Sequence, residues 1–111
     1  MRVYSGKLNS ESKTAENEVI TFVFNSGLQQ GSTAVLTGQW TKSYSGDPKA
    51  NYNFHGTVTK ASGNSIEIFK GERAYYMFEG TVDGDKLNLT MKKQDGSYYG
   101  KAELELVFKA D

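Results

Sequence analysis

Residues 73–93 read RAYYMFEGTVDGDKLNLTMKK and contain two segments that alternate between apolar and polar residues on either side of Asp83-Gly84. Alternation with a period of two is typical of a β-strand with one buried face. Asp-Gly is a favoured hairpin turn because glycine tolerates a positive φ. Glycine also interrupts the first segment, at Gly80 in FEGTV, where it shares its face with the apolar residues. The stretch therefore predicts a β-hairpin that carries a glycine on its buried face.

The same pattern around a glycine recurs in YSGKL, LTGQW, FHGTV and YYGKA, at Gly6, Gly38, Gly56 and Gly100. Glycine inside a strand weakens it, because it has no side chain to pack. Five such positions therefore indicate a geometric role, in which strands coil sharply as at the bends of a small closed barrel. We predict an all-β fold, a single eight-stranded antiparallel up-and-down barrel. The alternative is a β-sandwich with five unrelated bulges.

The whole chain, residues 1–111, is predicted to form this one barrel domain, since no linker or low-complexity tract divides it. Hairpin-turn residues punctuate it at Gly63, Gly71, Gly84 and Gly96. The segment 11–17 is polar and is expected to form a loop or a short helical turn. The predicted strands are residues 2–10, 18–25, 33–44, 50–60, 64–70, 73–82, 86–93 and 97–109.

Composition excludes several classes of function. Thirteen basic and thirteen acidic residues cancel, so the chain lacks the basic surface expected for binding nucleic acid or anionic membranes. It has no cysteine, which removes disulfides and thiolate chemistry. The start, MRVYSGKL, has no signal-peptide core. The protein is therefore expected to be cytoplasmic or a mature secreted form.

Successive strands of an up-and-down barrel run in opposite directions, and this decides at which end of the barrel each inward-facing residue lies. One end collects hydrocarbon side chains and is expected to form a packed plug. The other end collects large rings with polar tips, which suit a ligand-binding mouth because each offers an apolar face and a hydrogen-bonding group. The structural alternative is that these rings only cap the core. The predicted ligand-binding residues at this aromatic end are Ser10, Trp40, Tyr44, Tyr52, Tyr76 and Tyr98.

Catalytic groups are scarce. His55 is the only histidine, and the alternation of its strand places it on the outer face. A Ser-His-Asp arrangement requires an inward histidine, and paired catalytic carboxylates require two acids facing one cavity. We therefore expect no catalytic residue, no metal site and no cofactor, with a small barrel isomerase or hydrolase as the enzymatic alternative.

The strand pattern resembles the avidin and streptavidin family, and more broadly the lipocalins, through YSGKL, LTGQW, FHGTV and FEGTV. The lipocalin Gly-x-Trp of the first strand is absent, since Lys7 and Leu8 follow Gly6. The resemblance implies an eight-stranded barrel that binds a small ligand at one end. Trp40 would occupy the place of the family's ligand-contacting Tyr, and residues 45–50 would form its lid. The family's biotin-stacking tryptophans have no counterparts, because Trp40 is the only tryptophan of the chain.

We accordingly predict a non-enzymatic barrel that binds a small ligand at its aromatic end. The alternative is a surface recognition module for carbohydrate or protein, which would use Tyr75, Met77, Tyr99 and His55. The partner is expected to be a small molecule, with neither nucleic acid nor membrane. Apolar residues that break the outer polar pattern would mark a homo-oligomer contact; these are Val19, Val23, Val35, Tyr75, Met77, Tyr99 and Val107.

Overall fold

The computed structural model describes residues 1–40, 50–72 and 76–110, which form a closed antiparallel barrel of eight strands. Each strand pairs with the next along the chain, and β8 closes the barrel against β1. The predicted eight-stranded up-and-down barrel is confirmed, and the sandwich alternative is wrong. The strands are β1 (Arg2–Ser10), β2 (Glu18–Phe24), β3 (Thr33–Trp40), β4 (Ala50–Ser62), β5 (Ser65–Ile68), β6 (Tyr76–Asp83), β7 (Lys86–Lys93) and β8 (Tyr98–Lys109).

The predicted strand bounds agree closely with these. The first and seventh strands match at both ends, and the others differ by at most two residues wherever the chain is described. The predicted extensions of β3 to residue 44 and of β6 back to residue 73 lie outside the described residues. Residues 11–17 form turns, so the helical alternative for this segment is wrong. Within the described ranges no helix is long and apolar enough to cross a membrane.

Aromatic rings fill the middle of the barrel. The fully buried Phe22 ring stacks on Phe24 with centroids 5.6 Å apart, and it meets Phe78 edge-on at 5.0 Å. Phe69 lies 6.3 Å from Phe22 and 6.1 Å from Phe78. Offset-stacked and edge-to-face arrangements are the favoured geometries for aromatic pairs. This cluster is the centre of the core. Towards the plug end it continues into aliphatic side chains, among them Leu36, Val58, Ile66, Leu87 and Leu104.

Three of the five in-strand glycines lie where two strands approach most closely. A Cβ atom at Gly6 would sit 2.7 Å from the carbonyl carbon of Glu103, and one at Gly80 would sit 2.8 Å from that of Asn88. Gly100 meets the backbone of β1 in the same way. Real Cβ atoms do not approach backbone this closely, so any side chain at these positions would push two strands apart. The geometric role predicted for the glycines is thus present at β1–β8 and β6–β7.

One predicted inward residue faces outward. Phe108 is 53% exposed, although the alternation of β8 predicts it on the inner face. The pairing with β1 shifts between Val3 and Tyr4: Val3 pairs with Phe108, whereas Tyr4 pairs with Leu106. The extra residue, Val107, reverses the alternation beyond it, as a β-bulge does. Phe108 is therefore not part of the packed plug, in contrast to the prediction.

Tyr4 is a polar exception within the hydrocarbon part of the core. Its ring is fully buried and meets Phe24 edge-on at 5.9 Å, and its hydroxyl has no hydrogen-bond partner among the described residues. Leaving a buried hydroxyl unpaired costs about 1–3 kcal/mol. We expect Tyr4→Phe to raise the free energy of unfolding by about 1 kcal/mol, measured by urea denaturation. Val3→Thr on the outer face controls for changes in the strand itself. A loss of stability in Tyr4→Phe would show that the hydroxyl is hydrogen-bonded, for example to a buried water.

Candidate functional site

The structure brings three of the six predicted site residues to one end of the barrel. Ser10 at the end of β1 and Tyr52 near the start of β4 are buried, and Tyr76 at the start of β6 is half-buried. Trp40 ends β3 opposite Ala50, at the same end, but its side chain lies outside what the structure describes. Tyr44 also lies outside the described residues. The predicted aromatic end therefore exists, and its described part can be built residue by residue.

A chain of rings crosses this end of the barrel. The Tyr52 and Phe54 centroids are 5.4 Å apart, those of Phe54 and Tyr76 are 5.6 Å apart, and those of Tyr76 and Tyr99 are 5.1 Å apart. The last two pairs are edge-on. Gly38 on β3 makes room for this chain, because a Cβ atom there would lie 2.6 Å from Cζ of Tyr52. The fourth in-strand glycine thus has a local role, which is to seat the Tyr52 ring against β3.

Tyr98 and Tyr99 exchange their predicted places. Tyr98 is 41% exposed, whereas Tyr99 is buried. Lys92 of β7 pairs with Tyr98 while Met91 pairs with Gly100, so Tyr99 is an extra residue in β8. A bulge of this kind re-aims a side chain, and here it turns Tyr99 inward. The prediction that Tyr98 faces the interior is wrong, and the assignment of Tyr99 to an outer patch is wrong for the same reason.

Tyr98 nevertheless stays close to the aromatic end. Together with Glu11, Ser12, Lys93 and Tyr99 it lines a groove of about 180 Å³. Tyr99 thus contacts both this rim groove and the inner chain of rings. Tyr99 therefore lies where the barrel interior meets the rim groove.

The segment 11–17 is tied to this end by hydrogen bonds. The backbone amide of Ala15 donates to Oγ of Ser10 at 2.9 Å, and Ser10 Oγ lies 3.1 Å from Thr14 Oγ1. Thr14 Oγ1 in turn lies 2.6 Å from the hydroxyl of Tyr99. Ala15, within this segment, is fully buried. Ser10, Thr14 and Tyr99 therefore form a continuous row of hydroxyl groups along one wall.

A carboxylate completes the described part of the site. Glu18, the first residue of β2, pairs with Leu8 and is only 9% exposed. Burial raises the pKa of the Tyr52 hydroxyl above its ordinary value, and repulsion from Tyr99 and Tyr76 raises it further. The Glu18 charge also raises the pKa of Tyr52. The carboxylate therefore interacts electrostatically with the Tyr52 hydroxyl, which remains a protonated hydrogen-bond donor at neutral pH.

Sequence reasoning missed Thr14, Glu18 and Tyr99. The signal for Glu18 was present, because it has the same parity as Ile20 and Phe22 on β2. It was overlooked because acidic residues are almost never fully buried unless paired. No pattern in the sequence predicts Thr14 at this site, because it belongs to a connecting segment, where strand alternation does not apply. The bulge that turns Tyr99 inward adds a residue that the alternation does not reveal.

These groups can bind but are not arranged as a known catalytic set. The rings offer apolar faces, the hydroxyls donate or accept hydrogen bonds, and Glu18 accepts them. His55 lies on the outer face of β4, exposed, opposite Val35 of β3. Among the residues the structure describes, no three His, Asp or Glu side chains lie together as metal ligands would. The arrangement suits a small molecule with a flat apolar part and hydrogen-bond donors.

The barrel fold does not by itself show which family the chain belongs to. No family model, no curated protein and no solved structure matches the chain. The resemblance of its strand pattern to avidin-like and lipocalin-like barrels consequently stays a prediction.

Proposed function

We propose that this barrel binds a small organic ligand at its aromatic end and does not transform it. The observation that carries the proposal is the contrast between the two ends. One end is closed by hydrocarbon side chains, whereas the other gathers Ser10, Tyr52, Tyr76, Tyr99 and the nearly buried Glu18. In small barrels that bind a ligand, the ligand lies near one end, and the aromatic end is the one that offers polar groups.

The cost of burying polar groups supports a functional reason for this end. A buried carboxylate or hydroxyl loses hydration, and its hydrogen bonds within the protein only partly offset that loss. The plug end is mainly hydrocarbon, with the phenol of Tyr4 as an exception. The carboxylate and three phenols gathered at the aromatic end offer a ligand more polar groups to bind, which supports a site there.

The chemistry of the wall defines the class of ligand. Glu18 accepts hydrogen bonds, so the ligand should present N–H or O–H donors to it, and a cationic group would fit best. The rings of Tyr52 and Tyr76 suit a flat or cyclic body of a few atoms' width. The avidin-like and lipocalin-like strand pattern supports binding in this place. Biotin itself is not proposed, because the stacking tryptophans are missing from the chain.

Trp40 allows a direct test, since it is the only tryptophan and ends β3 at the aromatic end. Small metabolites, vitamins, amines and short sugars are screened by their effect on Trp40 fluorescence. We expect at least one compound with N–H donors to shift or quench the emission. For that compound, Glu18→Gln should weaken binding about tenfold or more, since a hydrogen bond to a charged group is worth about 1.5–3 kcal/mol.

The controls separate binding from folding. Glu105→Gln removes an exposed carboxylate from the outer face of β8 and should leave binding unchanged. Trp40→Phe should weaken binding more than it lowers the free energy of unfolding. If no compound alters the fluorescence, and binding measured calorimetrically is also absent, the ligand proposal fails and the surface recognition module takes its place. Of the four residues suggested for that module, Tyr99 is buried, Met77 is half-buried and Tyr75 lies outside the described residues.

A further inference from the structure

The charged residues of the barrel are unevenly distributed around its wall. On the outer faces of β5, β6, β7 and β8, charged side chains recur on every strand. The outer faces of β2 and β3, and the adjoining outer residues Asn53 and His55 of β4, carry no formally charged side chain in the described part of the wall. The charged side consists of Glu67, Glu79, Asp83, Lys86, Lys92, Lys101, Glu103 and Glu105.

We call the other side the uncharged face. It covers the outer faces of β2 and β3 with adjoining residues of β1 and β4, and it is built mostly from short β-branched and amide side chains. The exposed Lys7 of β1, which pairs with Val19, borders it at one corner. Val19 is 50% exposed and Val35 is 38% exposed, so apolar surface lies open on it. Its members are Val3, Ser5, Val19, Thr21, Val23, Val35, Thr37, Gln39, Asn53 and His55.

The strand register aligns these side chains in rows. Val3 pairs with Val23, and Val23 pairs with Val35, which gives an apolar row across β1, β2 and β3. Thr21 pairs with Thr37 in the next row, and Ser5 Oγ lies 3.0 Å from Thr21 Oγ1. The face is therefore a continuous patch of valine and hydroxyl rows rather than a scatter of single residues.

We propose that the uncharged face is a contact surface for a second copy of this chain. The lack of charge on this face indicates which kind of partner surface fits it. A surface with opposite charges would lose hydration on meeting this face and would find no counter-charge there. The matching surface is one that is equally uncharged, and the chain itself carries it. A twofold axis through the row of Thr21 and Thr37 brings valine and threonine rows against their own copies and leaves Lys7 at the rim of the contact.

Side-chain entropy favours the same conclusion. Valine and threonine are stiff at χ1 and lose little freedom when they are buried. Lysine and glutamate, which cover the remaining wall, lose much more. Ordering side chains at an interface costs about 0.5–1.5 kcal/mol for each long one. Burying the uncharged face therefore loses less side-chain entropy than burying any other part of the outer wall.

The available area indicates a modest dimer. The accessible surface of the chain is 6463 Å², so ten residues with an average share carry roughly 600 Å². Two copies would bury about 1,200 Å² in total, at the lower end of stable specific interfaces. We therefore expect a dissociation constant in the micromolar range. Because the face is on the outside of the barrel, this contact is independent of ligand binding at the aromatic end.

The test is the oligomeric state and its response to matched lysine substitutions. Sedimentation velocity from about 1 µM to about 500 µM covers micromolar dissociation constants. Wild-type protein should shift from monomer to dimer over this range. Thr37→Lys places two like charges across the proposed axis and should raise the dissociation constant at least about tenfold. Thr81→Lys makes the same change at an exposed threonine on β6 and should leave it unaltered.

Three results would overturn the proposal. They are a wild-type protein that stays monomeric at the highest concentration, a dimer that Thr81→Lys disrupts as strongly as Thr37→Lys does, and a dimer that neither variant affects. Circular dichroism and thermal melting establish that each variant is folded. If Thr37→Lys does not fold, Gln39→Lys on the same face provides the second substitution and is expected to have the same effect.

Discussion

Gly80→Val should lower the free energy of unfolding by about 3 kcal/mol or more, a large fraction of the roughly 5–15 kcal/mol that stabilises a typical domain. A Cβ atom at Gly80 would contact the carbonyl oxygen of Asn88 and lie 3.0 Å from Cα of Leu89. Both atoms belong to the backbone of β7 and cannot move without breaking the ladder. Strand propensity alone predicts the opposite sign, because valine is favoured in strands.

Urea denaturation of Gly80→Val and of two comparison variants measures this effect. Thr81→Val changes the next residue, on the outer face, and should alter the free energy of unfolding by no more than about 0.5 kcal/mol. Gly56→Val should fall between the two, at about 1–3 kcal/mol. Its Cβ would lie 2.8 Å from the Phe69 ring and would displace the Glu72 carboxylate that accepts hydrogen bonds from Thr57. An unchanged unfolding midpoint in Gly80→Val would mean that β6 and β7 are not held at this close approach.

The alternation of the sequence predicted the inner face well wherever strand pairing is regular. Phe22, Leu36, Phe78 and Leu89 are buried as their parity requires. Prediction failed at two bulges, beside Val107 and at Tyr99, because a bulge adds one residue and reverses the alternation beyond it. A bulge is set by how two strands pair, and that pairing is not visible in either strand alone.

The candidate site was predicted less completely than the fold. Ser10, Tyr52 and Tyr76 lie at the expected end because strand direction decides which end a residue occupies. The sequence did not predict Glu18 in the site, because an acidic residue is expected to be exposed although the alternation of β2 places it on the inner face. Burial of a carboxylate depends on which polar groups surround it, and those groups come from distant parts of the chain. Strand direction and periodicity therefore placed these residues at one end of the barrel but did not predict the polar groups beside them.

The last prediction compares the centre of the core with the aromatic end. Phe22→Ala should lower the free energy of unfolding by about 3–5 kcal/mol, the range for removing a fully buried phenylalanine. The Phe22 ring contacts Phe24, Phe69 and Phe78, so its loss leaves a cavity that these large neighbours cannot easily fill. Tyr76→Ala should cost about 2 kcal/mol or less, because Tyr76 is half-buried and exchanges less surface on folding.

Both variants are measured by urea denaturation with comparison of the slopes, so that a change in cooperativity is not mistaken for a change in stability. A large cost at Phe22 and a small one at Tyr76 would agree with a barrel whose packed centre maintains the fold while its aromatic end is available for a ligand. Equal costs would make the rings of Tyr52, Tyr76 and Tyr99 a second half of the core. In that case the aromatic end would be explained by packing alone, and the proposal of a ligand site there would lose its main support.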